Sequence, residues 1–287
     1  NDTARDLIVQ PDGRILVAGE GKFPSHGYTT DFVVVRLEAD GSLDAGFGTS
    51  GVASHSINTY DWTTAVALLA GGQIVVGGHS DKKYTFVRFT SNGSLDAGFG
   101  TGGVVQVDFA GELDVLQDLI VLDDWQGQGE RIVAVGSART GSSVTTEDFA
   151  AVMLTGNGAL EPGFGSGGKM TFDFDGASDQ AFSVTETTGG GLVLAGRFTS
   201  SNRYGFAALA LSADGTPDSS FFQTGAGFTQ NFTATSQDSV AAAIARDGNL
   251  NLVGTSFDQS GSGGLQKVAL ARLAASTRIF SDRFEQP

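Results

Sequence analysis

Apolar residues in this chain fall in short runs rich in Val, Ile, Leu and Phe, separated by Gly, Asn and Asp at roughly 8 to 12 residue spacing. No segment holds a 3.6-residue period long enough for a helix, so the pattern predicts strands throughout. Across one representative stretch it predicts four: Gly103 to Phe109, Val115 to Leu122, Arg131 to Gly136 and Phe149 to Leu154. Between the second and third strands of such units lie Asp-Gly and Gly-Gly pairs. These accept the positive φ that tight hairpin turns demand, and the unit therefore reads as an antiparallel meander.

The runs repeat. Asp12-Gly-Arg-Ile-Leu-Val-Ala-Gly19 recurs as Gly71-Gly-Gln-Ile-Val-Val-Gly-Gly78, Gly129-Glu-Arg-Ile-Val-Ala-Val-Gly136, Gly189-Gly-Gly-Leu-Val-Leu-Ala-Gly196 and Asp247-Gly-Asn-Leu-Asn-Leu-Val-Gly254. The closing glycines stand 59, 58, 60 and 58 residues apart. A second motif follows each of the first three copies: Asp40-Gly-Ser-Leu-Asp-Ala-Gly-Phe-Gly48, Asn92-Gly-Ser-Leu-Asp-Ala-Gly-Phe-Gly100 and Asn157-Gly-Ala-Leu-Glu-Pro-Gly-Phe-Gly165. A degenerate form follows the fourth at Asp214 to Phe222.

Five four-stranded units of this length predict an all-β, five-bladed β-propeller occupying residues 1–287 as a single domain, because blades stacked around an axis bury both faces of each sheet. The first repeat lacks the Gly-Val-Val type strand that precedes the others. A strand-like piece within residues 277–285 ends the chain and is expected either to complete the first blade and close the ring, or to serve as a tail. Closure would remove open sheet edges.

The motif Asp-Gly-Ser-Leu-Asp-Ala-Gly-Phe-Gly-Thr-x-Gly, followed one repeat later by the Asp-Gly-x-Ile-Leu-Val-Ala-Gly strand, resembles the delta-60 repeat family of bacterial exported and surface proteins. The resemblance spans Asp6 to Leu273. It implies export and a propeller-like fold, and supplies no catalytic residues. Ile279-Phe-Ser-Asp-Arg-Phe-Glu285 is similar to an ending found on exported proteins of some Gram-negative bacteria, with Arg283 in place of Gly.

Composition narrows the partners. With 17 Lys and Arg against 32 Asp and Glu the net charge is −15, which repels nucleic acid and anionic lipid alike. No apolar run is long enough to span a membrane. The absence of Cys excludes thiol chemistry and disulfide scaffolds. Low charge density and abundant Ser, Thr, Gly and Asn fit a protein exported after loss of a leader, at the cell surface, in the periplasm or outside the cell.

An Asp recurs near one place in each repeat, Asp2, Asp61, Asp114, Asp179 and Asp238, in every copy but the third 10 to 11 residues before a turn glycine. A ring of these carboxylates would suit Ca²⁺, which takes oxygen ligands. The alternative has each accept hydrogen bonds from its own turn, as Asx turns do. No cofactor is otherwise expected. Asp173 to Asp179 imitates the start of a calcium loop, but Val184 stands where an EF-hand needs its bidentate Glu. His26, His55 and His79 show no metal-binding spacing.

Propellers can carry a glycosidase carboxylate pair on inner strands, for which Asp108, Asp173 and Asp175 are the candidates. The favoured expectation is a non-enzymatic binding module for a glycan or a protein surface. Its ligand would meet the variable loops, where Tyr28, Tyr60, Trp62, Tyr84, Arg197, Arg203 and Tyr204 line one rim. A purely structural module of a surface assembly is the third reading.

Overall fold

The computed structural model describes residues 2–23, 27, 29–109, 113–140, 146–187, 189–200, 203–220, 227–230, 236–246, 249–258 and 265–274. These hold nineteen strands, and the described residues contain no helix. The first sheet is β1 (Thr3–Val9), β2 (Ile15–Lys22), β3 (Thr30–Leu37) and β4 (Val52–His55), hydrogen-bonded in that order. The second repeats it with β5 (Asp61–Leu68), β6 (Ile74–Ser80), β7 (Lys83–Phe89) and β8 (Val104–Val107). The third contains β9 (Val115–Leu122), β10 (Arg131–Ala138), β11 (Asp148–Thr155) and β12 (Lys169–Phe172). The last contains β13 (Gln180–Glu186), β14 (Leu192–Ser200), β15 (Arg203–Leu211), β16 (Gly227–Gln230), β17 (Ser236–Arg246), β18 (Asn249–Asp258) and β19 (Leu265–Ala274).

The described residues thus form four sheets rather than five. The seven-stranded one consists of a four-stranded meander, β13 to β16, and a three-stranded one, β17 to β19, joined at one parallel bridge between Tyr204 and Gln237. The first and second sheets touch through a bridge of the same kind, Thr30 to Tyr60, without merging.

Strand grouping also departs from the expected units. The repeat pattern places the Gly-Val type strand in the blade that follows it, yet β8 pairs with β7, and β4 with β3. The reason lies in the second motif. In the first copy the Gly51 N–H donates to Phe47 O and the Arg36 N–H to Gly51 O, with Gly48 and Gly51 at positive φ, so the motif itself is the hairpin that folds β4 back onto β3. The first sheet therefore already has four strands from residues 3–55 and lacks none. Ring closure by residues 277–285 lies outside the described residues.

The chain divides into two compact units, Asn1–Ala134 with Leu154–Leu160, and Val135–Met153 with Glu161–Pro287. In the first, alternate residues of β2 and β3 point inward: Leu16, Ala18, Phe32 and Val34 pack with Val66, Ile74, Val76, Val87 and Phe89 of the second sheet. The second motif locks neighbouring repeats together. Phe47 and Phe99 are fully buried, each beneath an arginine guanidinium, Arg36 at 4.5 Å and Arg88 at 4.7 Å. Arg36 donates to Asp44 and to Ser91 O; Arg88 donates to Asp96 and to Gly156 O, carbonyls that belong to the next copy. Backbone bonds Gly48 N to Asn92 O and Gly100 N to Asn157 O complete each link.

The second unit uses the same device. Gly165 N donates to Asp214 O, and a Cβ on Gly215 would press on the buried Phe164 ring. No helix of the described residues is long and apolar enough to cross a membrane.

Candidate functional site

The site starts from an irregularity in β1 and β5. Pairing of β1 with β2 slips between Ala4 and Asp6, and that of β5 with β6 between Thr63 and Ala65. Each slip is a β-bulge, which leaves one residue out of the ladder and re-aims its side chain. Those residues are Arg5 and Thr64. Beside each bulge the facing strand has room only for glycine: a Cβ on Gly19 would collide with Thr3 O, and one on Gly78 with Trp62 O. The glycine closing the first motif is thus a mid-strand requirement at Gly19 and Gly78, and at Gly196, where Gln180 O stands in the same place.

Arg5 and Thr64 line a cavity of about 280 Å³ together with Glu20, Trp62, Thr63, His79, Val115 and Gln117. Trp62 stacks on His79 with ring centroids 5.5 Å apart and planes 17° from parallel, and Tyr60 leans on the indole at 6.3 Å. Arg5 grips the buried Glu20 carboxylate through Nε and Nη2 at 2.9 to 3.1 Å. Thr63 Oγ1 donates to Gly19 O and Thr64 Oγ1 to Gly77 O. Burial, reinforced by the Arg5 charge, pulls the His79 pKa down to about 4, so the ring is neutral at physiological pH. Its Nδ1 is buried with no hydrogen-bond partner. A flat apolar wall thus faces bidentate donors and acceptors. That combination suits a ligand with one apolar face and a polar edge.

The expected rim residues separate into four groups. Tyr60 is 63% exposed and joins Trp62 as described. In the second unit Arg197 lies over the Tyr204 ring at 4.6 Å and over Phe182 at 5.8 Å. Tyr84 is a correction, because it is fully buried at the start of β7 and packs edge-on against Phe109 at 5.2 Å. Burial, with the Asp114 charge nearby, raises its phenol well above the usual range, so it lines no rim. Tyr28 and the side chain of Arg203 lie outside the described residues.

The recurring Asp residues serve the backbone. Asp61 accepts from the Ile57 and Asn58 N–H groups and from Ser80 Oγ, Asp114 from Phe109 N, Asp179 from Phe174 N and Thr199 N, and Asp2 from Lys22 N. The Asp238 side chain lies outside the described residues. Among the described residues no three His, Asp or Glu side chains form a group able to hold a metal ion.

The carboxylates offered for a glycosidase pair stand just beyond short edge strands. Asp108 and Asp173 follow β8 and β12, which form the sheet edges opposite β5 and β9, because the hairpin motif hands each short strand to the preceding sheet. Asp108 lies 3.9 Å from Lys83 Nζ, while Asp173 Oδ1 accepts the Asp175 and Gly176 N–H groups in a turn.

Asp179 is fully buried, and desolvation above all, with Asp173 and Asp148 adding repulsion, raises its pKa to about 6. A folded-state pKa above the ordinary value of 3.8 contributes stability that is complete below pH 4 and lost as pH rises through 6. At about 1.4 kcal/mol per unit, the loss between pH 4 and 7 is of order 1 to 3 kcal/mol. His79 works in the opposite sense, its depressed pKa contributing stability above pH 6.5 that is lost as pH falls toward 4. Asp148→Asn, which removes one repelling charge while its oxygen still accepts from Thr140, is expected to flatten the Asp179 part of the profile. Urea titrations at pH 4.5 and 7.5 read this directly. An unchanged difference between the two pH values in Asp148→Asn would contradict the coupling.

Antiparallel four-stranded sheets with hairpin links from repeat to repeat define the class as β-propeller. The family described as domain of unknown function (DUF5122) beta-propeller matches residues 10–47 and 72–99. No curated protein is significantly similar in sequence. A Lactobacillus plantarum protein of known structure is similar at a TM-score of 0.50 and 12% identity, over 94% of this chain and 71% of that one. Drosophila Semaphorin 2a reaches 0.49 at 10% identity over 93% and 52% of the two chains. A B. megaterium levansucrase mutant reaches 0.43 at 10% identity over 99% and 84%. At such identities the first likeness bears on fold alone.

Proposed function

We propose that this chain is an exported five-bladed propeller of the delta-60 repeat type that binds carbohydrate, without catalysis, at the cavity beside Trp62. The single observation that carries the reading is the Trp62–His79 stack set in a wall of polar side chains. The apolar C–H face of a pyranose packs against an indole. Its hydroxyls find the Arg5–Glu20 pair and the Gln117 amide, each able to accept or donate at a fixed place. Export is supported by composition and by the repeat resemblance.

A glycan array with the intact chain identifies the sugar, and titration calorimetry with the best hit measures it. Trp62→Ala is expected to weaken that affinity by about 2 kcal/mol, roughly 30-fold, as for a buried aromatic anchor. A blank array, or equal affinity in Trp62→Ala, would overturn the proposal.

A further inference from the structure

We propose a second binding site at the other end of the same strands, a cleft that takes a peptide segment bearing an Arg or Lys side chain. The turn after β1, the turn after β5 and the second motif after β7 surround a cleft of about 660 Å³, with Asp123 at its edge. Trp62 stands near the start of β5, whereas Leu68, Leu69 and Ala70, which line this cleft, stand at and beyond its end, so the two sites are separate.

The charges of the cleft select the ligand. Two arginines line it, and both are already neutralised: Arg14 pairs with Asp12 at 2.5 Å and Asp44 at 3.2 Å, and Arg36 pairs with Asp44 at 2.7 Å and caps Ser91 O. No positive charge remains for an anion. Asp123, by contrast, is exposed and has no hydrogen bond or ion pair among the described residues. Gln10 is only 9% exposed, and its Oε1 is buried with no hydrogen-bond partner. An orphaned buried acceptor costs about 1 to 3 kcal/mol, and the terminal amide torsion is a soft one about which the oxygen can turn outward to a donor. Pro11, Leu68 and Leu69 give the cleft an apolar floor. A donor-bearing cation on a short apolar-tolerant backbone satisfies all of these: its N–H groups meet Gln10, its charge meets Asp123, and the net charge of −15 steers it in.

N-acetyl-triarginine amide and N-acetyl-triglutamate amide, titrated calorimetrically at physiological ionic strength to screen long-range attraction, test the site. The triarginine probe is expected to bind saturably at one site, and to weaken at least about 5-fold in Asp123→Asn and in Gln10→Met. Gln10→Met removes the orphaned oxygen at similar size and is expected to melt no lower than the parent. Asp123 is exposed in a turn, so Asp123→Asn keeps the question answerable even if Gln10→Met does not fold. Absence of saturable triarginine binding, undiminished binding in both variants, or tighter binding of triglutamate would each overturn the proposal.

Discussion

Phe99→Ala is expected to lower the free energy of unfolding by about 3 to 5 kcal/mol, the range for emptying a buried aromatic site. Phe99 is fully buried under the Arg88 guanidinium and against the next repeat, where a Cβ on Gly158 would already crowd its ring. Little can collapse into the space, because Arg88 is tied to Asp96 and Gly156 O, and Gly100 to Asn157. Losing the ring therefore removes transfer free energy and leaves a cavity that its neighbours cannot fill. Urea denaturation followed by tryptophan fluorescence measures the change, with the slope in urea expected to stay constant. A loss below about 1 kcal/mol would mean that the Phe of this motif does not join the repeats as described.

Gly78→Ala is expected to destabilise by about 3 kcal/mol or more, and the comparison with Gly102→Ala decides why. Gly102 has φ +63° and open space within 4 Å of where an alanine methyl would stand, so Ala there meets only the left-handed backbone penalty, about 1 to 2 kcal/mol. Gly78 does not have a positive φ, but its methyl would overlap the Trp62 carbonyl, a backbone atom two residues before the bulge. If crowding governs, Gly78→Ala is the worse variant and also disturbs the Trp62–His79 stack. Equal losses in the two variants would show that the bulge yields easily.

Strands were legible because alternation and β-branched content act locally. Val115 to Leu122 matches β9 residue for residue, and β10 and β11 begin within one residue of their expected starts. Sheet membership was not legible, since the connections at Asp40 to Gly51 and at Asp108 to Asp114 are both rich in turn residues. Only the hydrogen bonds of the motif, Gly51 N to Phe47 O among them, show which of the two folds back. Aromatic type singled out Tyr60 and Trp62, whose rings do meet, but misled at Tyr84, which is buried against Phe109 near Asp114, both distant in sequence. Arg5, His79 and Gln117 gave no warning. A bulge with no glycine in it leaves no mark on a sequence, although counting three residues on from each recurring Asp would have brought Arg5, Thr64 and Gln117 into one column.

That column has a consequence for how such a protein diversifies. From copy to copy it reads Arg5, Thr64, Gln117, Phe182 and Ala241: a cation, a hydroxyl, an amide, a ring and a methyl. At the bulges the residue is released from the ladder, so its exchange leaves pairing intact while altering what that strand presents. Tandem copies of one frame thereby carry an independently variable letter each, and what a strand presents can be changed by point substitution without rebuilding a loop.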